Sequence, residues 1–145
     1  MITKDISKKS ITLLLLLAIM VQLFIFNSFA TTSLDNELSN LRKNIRTIDD
    51  INDSVYSQLE KIMLNKFSDV NKNDWYMSVM TKLVGLGSLD GTVNGTMEPL
   101  GEVTNSMFIK MLIRAMYGEN GVNDMEPDFN HWAARDIKKA EELGL

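Results

Sequence analysis

The sequence has no cysteine and a single histidine. Without cysteine, the chain cannot form disulfides, thiolate metal sites or a lipid-modified cysteine anchor. His131 has no second histidine, no Ser/His/Asp order and no phosphate-binding glycine loop around it, so the sequence offers no catalytic constellation. We therefore expect a binding or structural protein rather than an enzyme, and we expect no cofactor.

Basic residues are fewer than acidic residues in this sequence. Lysine and arginine number 15 against 19 acidic residues, which gives a formal net charge of −4. Removing residues 1–30, with three lysines and one aspartate, would lower this charge to −6. Nucleic-acid-binding proteins present a basic face, so we expect no nucleic-acid partner.

The first thirty residues have the pattern of an export signal. Three lysines precede the apolar run Ile11 to Phe26. Ser28 and Ala30 then supply the small residues that precede a signal-peptidase cut. The run of sixteen is shorter than the roughly 20 residues that a membrane span needs. We predict a signal peptide over 1–30, cleaved after Ala30, with a retained membrane anchor as the alternative. Either way, the rest of the chain is expected to be exported.

The next segment, 31–66, is predicted to be helical. It has neither glycine nor proline from Ser33 to Lys66, and apolar residues recur at three- and four-residue steps. Three acidic residues weaken the pattern over 49–53, so we expect one long helix or two helices broken there. The apolar stripe is predicted to pack on its own domain or on a partner helix, and coiled-coil self-association stays open. The stripe comprises Leu34, Leu38, Leu41, Ile45, Ile48, Val55, Leu59 and Ile62.

After Phe67 the pattern changes to short helices separated by glycine-rich turns. A helix is predicted over about 74–84, a loop over 85–99, a helix over 105–117 with Thr104 as its N-cap, and a helix over 131–144. The fold class is therefore all-α. The predicted apolar face of the first helix is Trp75, Val79, Met80 and Leu83, and the predicted inner face of the second is Phe108, Met111, Leu112 and Ala115. Ile109 and Ile113 widen the second face, so this helix is expected to be buried on most sides.

The stretch "FSDVNKNDWYMSV" at 67–79 has the alternating oxygens that open an EF-hand loop, at Asp69, Asn71 and Asn73. Such a loop needs glycine at its sixth position and a bidentate glutamate at its twelfth. Those positions hold Asp74 and Met80. The stretch is therefore interpreted as a polar turn and helix cap, and no metal site is predicted.

This stretch begins an internal repeat. With the tryptophans aligned, Trp75 and Gly87 match Trp132 and Gly144, so a turn, tryptophan, helix and glycine recur 57 residues apart. We divide this part of the chain into a first unit, 67–120, and the start of a second, 121–145. The second unit stops after its first helix, which indicates a fragment of a longer protein or a truncated product.

The ordered motifs of the first unit resemble the S-layer homology (SLH) domain of bacterial cell-surface proteins. "FSDV", Trp75, Leu83, Gly87, Gly91, "NGTMEP" (94–99) and "VTNSMF" (103–108) follow the family's pattern in register. The resemblance implies tandem repeats bundled around a pseudo-threefold axis, with grooves that bind secondary cell-wall polysaccharide, often through pyruvylated sugars. It also implies a place in the cell wall or S-layer at the cell surface.

The sequence departs from the family at the start of the second helix. The family's T-R-A-E combines a capping box with an arginine that can hold an acidic sugar. Here Thr104 keeps the N-cap, but Asn105 replaces the arginine and Met107 replaces the glutamate. The loop aromatics are replaced as well, by Thr92 and Met97.

Six residues are candidates for contact with the polysaccharide. Each tryptophan either fills the gap between helices or stacks on a sugar ring. Asp69 either caps its turn or touches ligand, and Gly91 either adopts a positive φ or admits ligand to its backbone. The candidates are Trp75, Gly91, Thr104, Asn105, Asp69 and Trp132. Lys110 and Arg114 are interpreted as snorkelling surface residues, either of which could replace the missing charge at Asn105.

We expect one of two functions. The first is polysaccharide attachment through the SLH-type repeats. The second is a degenerate repeat that acts as a structural or protein-interaction module without binding carbohydrate.

Overall fold

The computed structural model describes the backbone of residues 8–145 and the side chains of 12–22 and 33–145. The described chain is all-helical, as predicted, with no strand in that range. The predicted signal peptide and its cleavage after Ala30 lie largely outside the residues with described side chains. Among the helices that are described, none combines the length and the apolar character that crossing a membrane requires.

The described helices are separated by turns and loops, the longest of which spans residues 86–104. Their bounds are α1 Lys8–Arg42, a 3₁₀ turn Ile48–Asp50, α2 Asp53–Lys66, α3 Met77–Gly85, α4 Asn105–Tyr117, a 3₁₀ turn Asn120–Val122 and α5 Ala134–Glu142. The chain divides into two compact units, Met1–Asp35 and Asn36–Leu145. The last turns of α1 therefore belong to the compact region Asn36–Leu145, which also contains the residues of the fold and the site described below.

The predicted helical segment 31–66 forms two helices rather than one long helix, which is the second of the two predicted alternatives. Helix α1 ends at Arg42, earlier than predicted, and α2 begins at Asp53 behind an Asn52 cap whose side chain accepts the Val55 N–H at 3.1 Å. Leu38, Ile45 and Leu59 of the stripe are buried. These residues of the stripe are thus packed within their own domain, whereas Ile48 is 52% exposed. The predicted self-association of the stripe stays a prediction.

Helix α2 packs on α3 through a close backbone approach. A Cβ added to Gly85 would lie 2.6 Å from Cδ1 of Leu59 and 3.3 Å from Cδ1 of Ile51. Arg42 secures the same end of α3, because its Nε donates to the Val84 carbonyl at 2.8 Å. The segment before the repeat therefore supplies part of the repeat's own core.

Helices α4 and α5 form a second packed layer. Its buried centre is Ile113, Val122 and Ala140, against which Ile109 and Tyr117 pack. The predicted inner face of α4 is wrong for Phe108, which is 58% exposed, and for Leu112, which is 37% exposed. Ile109 and Ile113, which were predicted to widen that face, do pack in the core. The contact with α5 and the 3₁₀ turn selects the Ile109–Ile113–Tyr117 side of α4.

The first repeat helix also differs from its prediction. Helix α3 begins at Met77 rather than near Asp74, and it buries Met77, Thr81 and Val84 rather than the Trp75–Val79 side. The reason is local: the Asp74 carboxylate accepts the Asn71 N–H and the Tyr76 hydroxyl, both at 2.7 Å. These bonds hold 74–76 as a turn.

The two repeat units share one backbone plan. In each, a nine-residue helix starts two residues after the tryptophan, at Met77 and at Ala134. In each, a leucine C-cap is followed by a glycine with positive φ, +72° at Gly87 and +75° at Gly144. The third predicted helix thus begins at 134 rather than 131. The division into 67–120 and 121–145 stays a prediction.

Candidate functional site

The loop between α3 and α4 is folded by a short turn and by one glycine. The Thr92 N–H donates to the Thr96 carbonyl at 2.8 Å, and the two threonine hydroxyls lie 2.7 Å apart. Gly91 has φ +74°, as expected of it, and a Cβ there would collide with the Phe67 ring and lie 2.8 Å from the Thr96 carbonyl. The loop can therefore close over Phe67 only with glycine at 91.

Asp69 fixes the far side of the same loop. Its two carboxylate oxygens accept the N–H groups of Met97 and Glu98, each at 2.8 Å. Glu98 is the one non-glycine residue of positive φ in the described chain, at +50°. The carboxylate thus stabilises a backbone conformation that an L-residue rarely adopts. Asp69 spans two segments rather than capping its own turn.

A groove of about 340 Å³ lies between this loop, α4 and Trp132 of the second repeat unit, 121–145. That volume is within the roughly 300–1,000 Å³ of small-molecule sites. Gly91 and Trp132 are the two predicted site residues that line it, and Lys110 lines it too. Its lining is Ser88, Leu89, Asp90, Gly91, Thr92, Met97, Glu98, Met107, Lys110, Met111 and Trp132.

Trp132 presents its indole at this groove instead of filling the core. The side chain is 61% exposed, and the His131 ring lies beside it with centroids 5.3 Å apart. The core-packing interpretation of this tryptophan was therefore wrong. An exposed indole face beside a groove that also carries Ser88, Asp90 and Thr92 suits stacking against the ring of a sugar.

Trp75 is still more exposed, at 84%, and is likewise not a core residue. It meets the neighbouring Tyr76 ring edge-on with centroids 5.6 Å apart. Trp75 is not among the residues that line the groove. Its predicted contact with ligand stays a prediction.

Thr104 is the N-cap of α4, as predicted. Its hydroxyl accepts the Met107 N–H at 3.3 Å. Asn105 follows as the first residue of the helix and is exposed. Neither residue lines the groove, which the helix enters through Met107, Lys110 and Met111.

The charged side of the groove is an ion pair with a second cation behind it. Asp90 pairs with Lys110 and, at 2.8 Å, with Arg42. Burial alone would raise the pKa of Asp90, but the charges and hydrogen bonds of Arg42 and Lys110 together lower it. Because the Lys110 side chain is only 14% exposed, it is not the snorkelling residue that was predicted.

Arg114 couples the first repeat unit to the second. Its guanidinium donates from Nε to Oδ1 of Asp136 at 2.8 Å, and the Asp136 side chain is 1% exposed. Burial opposes the charge of Arg114, but the bond to Asp136 and the nearby Glu119 raise the arginine pKa. Arg114 therefore acts in the interior, also contrary to its predicted surface role.

Sequence reasoning missed most of the groove's lining. Ser88 and Asp90 were not among the predicted site residues, and Met111 was predicted as part of the inner face of α4. Lys110 was interpreted as a surface residue that could replace a lost charge. The signal that could have found these residues is position: Ser88 and Asp90 lie within three residues of Gly91, and Lys110 lies in the second turn of α4.

Comparison with known families identifies this region. Residues 66–104 match the family model of the S-layer homology domain. The match ends at Thr104, before Asn105 and Met107, where the sequence departs from the family's pattern. Neither the curated proteins nor the solved structures gave a match. Residues 66–104 are therefore identified as an S-layer homology domain, a module of cell-surface proteins that usually binds cell-wall polysaccharide.

Proposed function

We propose that this chain is an exported cell-envelope protein and that the groove beside Trp132 binds secondary cell-wall polysaccharide. The observation that carries the proposal is the pairing of an exposed indole with a polar, preformed loop. Trp132 and Gly91 come from different repeat units and line one groove. A sugar ring needs an aromatic face for its C–H surface and hydrogen-bonding groups for its hydroxyls.

The groove is rigid enough to act as a binding site. The Phe67 ring supports Gly91 from one side, and Asp69 holds Met97 and Glu98 from the other. A preformed loop loses little conformational entropy when a ligand binds. The proposed role is non-covalent attachment without a catalytic step, and the export signal at 1–30 belongs to the same proposal.

The test is sedimentation of the purified full chain with isolated bacterial cell walls. The chain should co-sediment with walls that retain secondary polysaccharide and not with walls stripped of it by hydrofluoric acid. Loss of one stacking contact costs about 1–3 kcal/mol when aromatic stacking on planar rings is the guide. Trp132→Ala should therefore weaken binding at least about fivefold.

The matched comparison is Trp75→Ala, which removes the more exposed of the two indoles from the equivalent position of the other repeat unit. This variant should keep wild-type binding, since Trp75 lies outside the groove. Both side chains are exposed, so neither change should unfold the domain. Loss of binding by Trp75→Ala alone would refute the groove as the site.

The second candidate is a structural or protein-interaction module. It is favoured by the way in which the segment before the repeat is built into the repeat, through Arg42 and through Leu59 against Gly85. In this case the wall would be bound through a protein, and protease treatment of the walls would abolish sedimentation. Binding that survives protease but not polysaccharide removal supports the first candidate.

A further inference from the structure

The positive charge that lines the groove is already paired with a carboxylate. Among the described residues that line it, Lys110 is the only cation, and it is held by Asp90. Glu98 lines the groove as a second carboxylate. The lining therefore carries two negative charges and one positive charge.

Two arginines that continue the same network of ion pairs have acidic partners as well. Arg42 pairs with Asp90 at 2.8 Å and lies 3.8 Å from Glu119. Arg114 lies 3.3 Å from Glu119 and 2.8 Å from Asp136. Lys110, Arg42 and Arg114 thus alternate with three carboxylates, and none brings an unopposed charge to the groove.

The start of α4 does not replace the missing charge. Thr104 occupies one of its free N–H groups by accepting from Met107. Asn105, the first helical residue, is uncharged. An acidic ligand would find no guanidinium here of the kind that binds a carboxylate in bidentate fashion.

The rest of the lining suits an uncharged ligand. Ser88 is 2% exposed and its buried hydroxyl has no hydrogen-bond partner among the described residues. Asp90 accepts hydrogen bonds and Lys110 donates them, so the pair can bind a sugar hydroxyl either as a donor or as an acceptor. Met97, Met107 and Met111 provide adaptable apolar walls opposite the polar groups.

We infer that this groove selects an uncharged sugar unit and discriminates against an acidic one. The inference rests on the proposed polysaccharide-binding function and specifies the class of ligand. A carboxylate in the groove would face Asp90 and Glu98, and like charges disfavour binding. Sugar hydroxyls would instead bind the Asp90–Lys110 pair, with Ser88 as a further group beneath them and Trp132 against the ring.

The experiment compares one oligosaccharide in two charge states. The probe is the repeating unit of a pyruvylated secondary cell-wall polysaccharide, used as isolated and after mild acid has removed its pyruvyl groups. Calorimetry with the full chain should show about two- to fivefold tighter binding of the depyruvylated form, the size expected of partly exposed charges. Equal or tighter binding of the pyruvylated form would overturn the inference but leave the proposed function standing. Binding of neither form would overturn both.

Asp90→Asn tests the electrostatic reason. The change keeps the shape of the side chain, frees Lys110 and raises the charge of the lining by one. It should shift the preference toward the pyruvylated form by about fivefold. The control is Asp124→Asn, which changes the net charge equally at an exposed residue outside the groove. If the two variants show the same preference, the inference is wrong.

Discussion

Replacing Gly91 with alanine should destabilise the unit 36–145 much more than the same replacement at Gly95. The two glycines lie in one loop and have nearly equal φ values, +74° and +72°. They differ in the space around them. A Cβ at 91 would collide with the Phe67 ring and approach the Thr96 carbonyl to 2.8 Å, whereas a Cβ at 95 meets only the Lys66 carbonyl at 3.4 Å.

The expected magnitudes follow from this difference. Alanine in the left-handed region costs about 1–2 kcal/mol, and the smaller entropy of its unfolded chain offsets about 0.4–1 kcal/mol. Gly95→Ala should thus lower the free energy of unfolding by about 1 kcal/mol. Gly91→Ala adds overpacking against Phe67, worth about 1–3 kcal/mol, for a total near 3 kcal/mol.

Urea unfolding followed by far-ultraviolet circular dichroism measures the difference. The two variants should differ by about 2 kcal/mol in the free energy of unfolding, which corresponds to a difference of roughly 8 °C or more in Tm for a domain of this size. Gly91→Ala should also lose affinity for the cell wall, because Phe67 cannot support the shifted loop. Equal destabilisation by the two variants would show that the collision with Phe67 is relieved at no cost, which would contradict the close packing of the loop.

Other changes test other contacts. Asp136→Ala leaves Arg114 without its buried partner and should lower the free energy of unfolding by about 3 kcal/mol or more, measured by urea unfolding. Thr104→Ala removes the N-cap and should cost about 1 kcal/mol in the same assay, whereas Thr104→Ser should cost much less. Asp90 has a lowered pKa in the folded state, so its stabilisation is present above the unfolded value of about 3.9 and is lost as pH falls through the folded value. The stability difference between wild type and Asp90→Asn should therefore disappear in acid; a pH-independent difference would contradict the ion pair.

Local signals predicted the three α-helices after Phe67 and both bounds and the N-cap of α4. The starts of α3 and α5 were predicted three residues too early, and the polar turn before α3 supplies no side-chain cap to that helix, contrary to its interpretation. The threonine at 104 and the absence of glycine or proline until 118 defined α4 to the residue. The repeat of tryptophan and glycine likewise predicted two helices with the same backbone plan. Such features depend on residues close in sequence, which capping and turn preferences describe.

Which face each helix buries could not be predicted in the same way. Helix α4 is apolar on most sides, so its inner face depends on where α5 and Val122 pack. The burial of Asp136 depends on Arg114, 22 residues away. Long-range partners of this kind leave no periodic trace in a single sequence.

In the candidate site, too, the residues marked by local sequence patterns were predicted and those placed by long-range contacts were not. Gly91 and Trp132 were identified because a turn pair and a repeated tryptophan mark them. Asp69 was predicted as a cap or ligand contact, but its partners are Met97 and Glu98, 28 and 29 residues away. Ser88 and Asp90 enter the groove only because the loop folds back over Phe67.

The binding groove can be tested most directly by nuclear magnetic resonance of the two indole N–H groups. The chain has only two tryptophans, so an ¹⁵N-labelled sample gives two indole signals, which Trp75→Phe and Trp132→Phe assign. On titration with the depyruvylated oligosaccharide, the Trp132 signal should move in a saturable manner while the Trp75 signal stays in place. Movement of the Trp75 signal alone, or of neither, would contradict the binding of cell-wall polysaccharide in this groove.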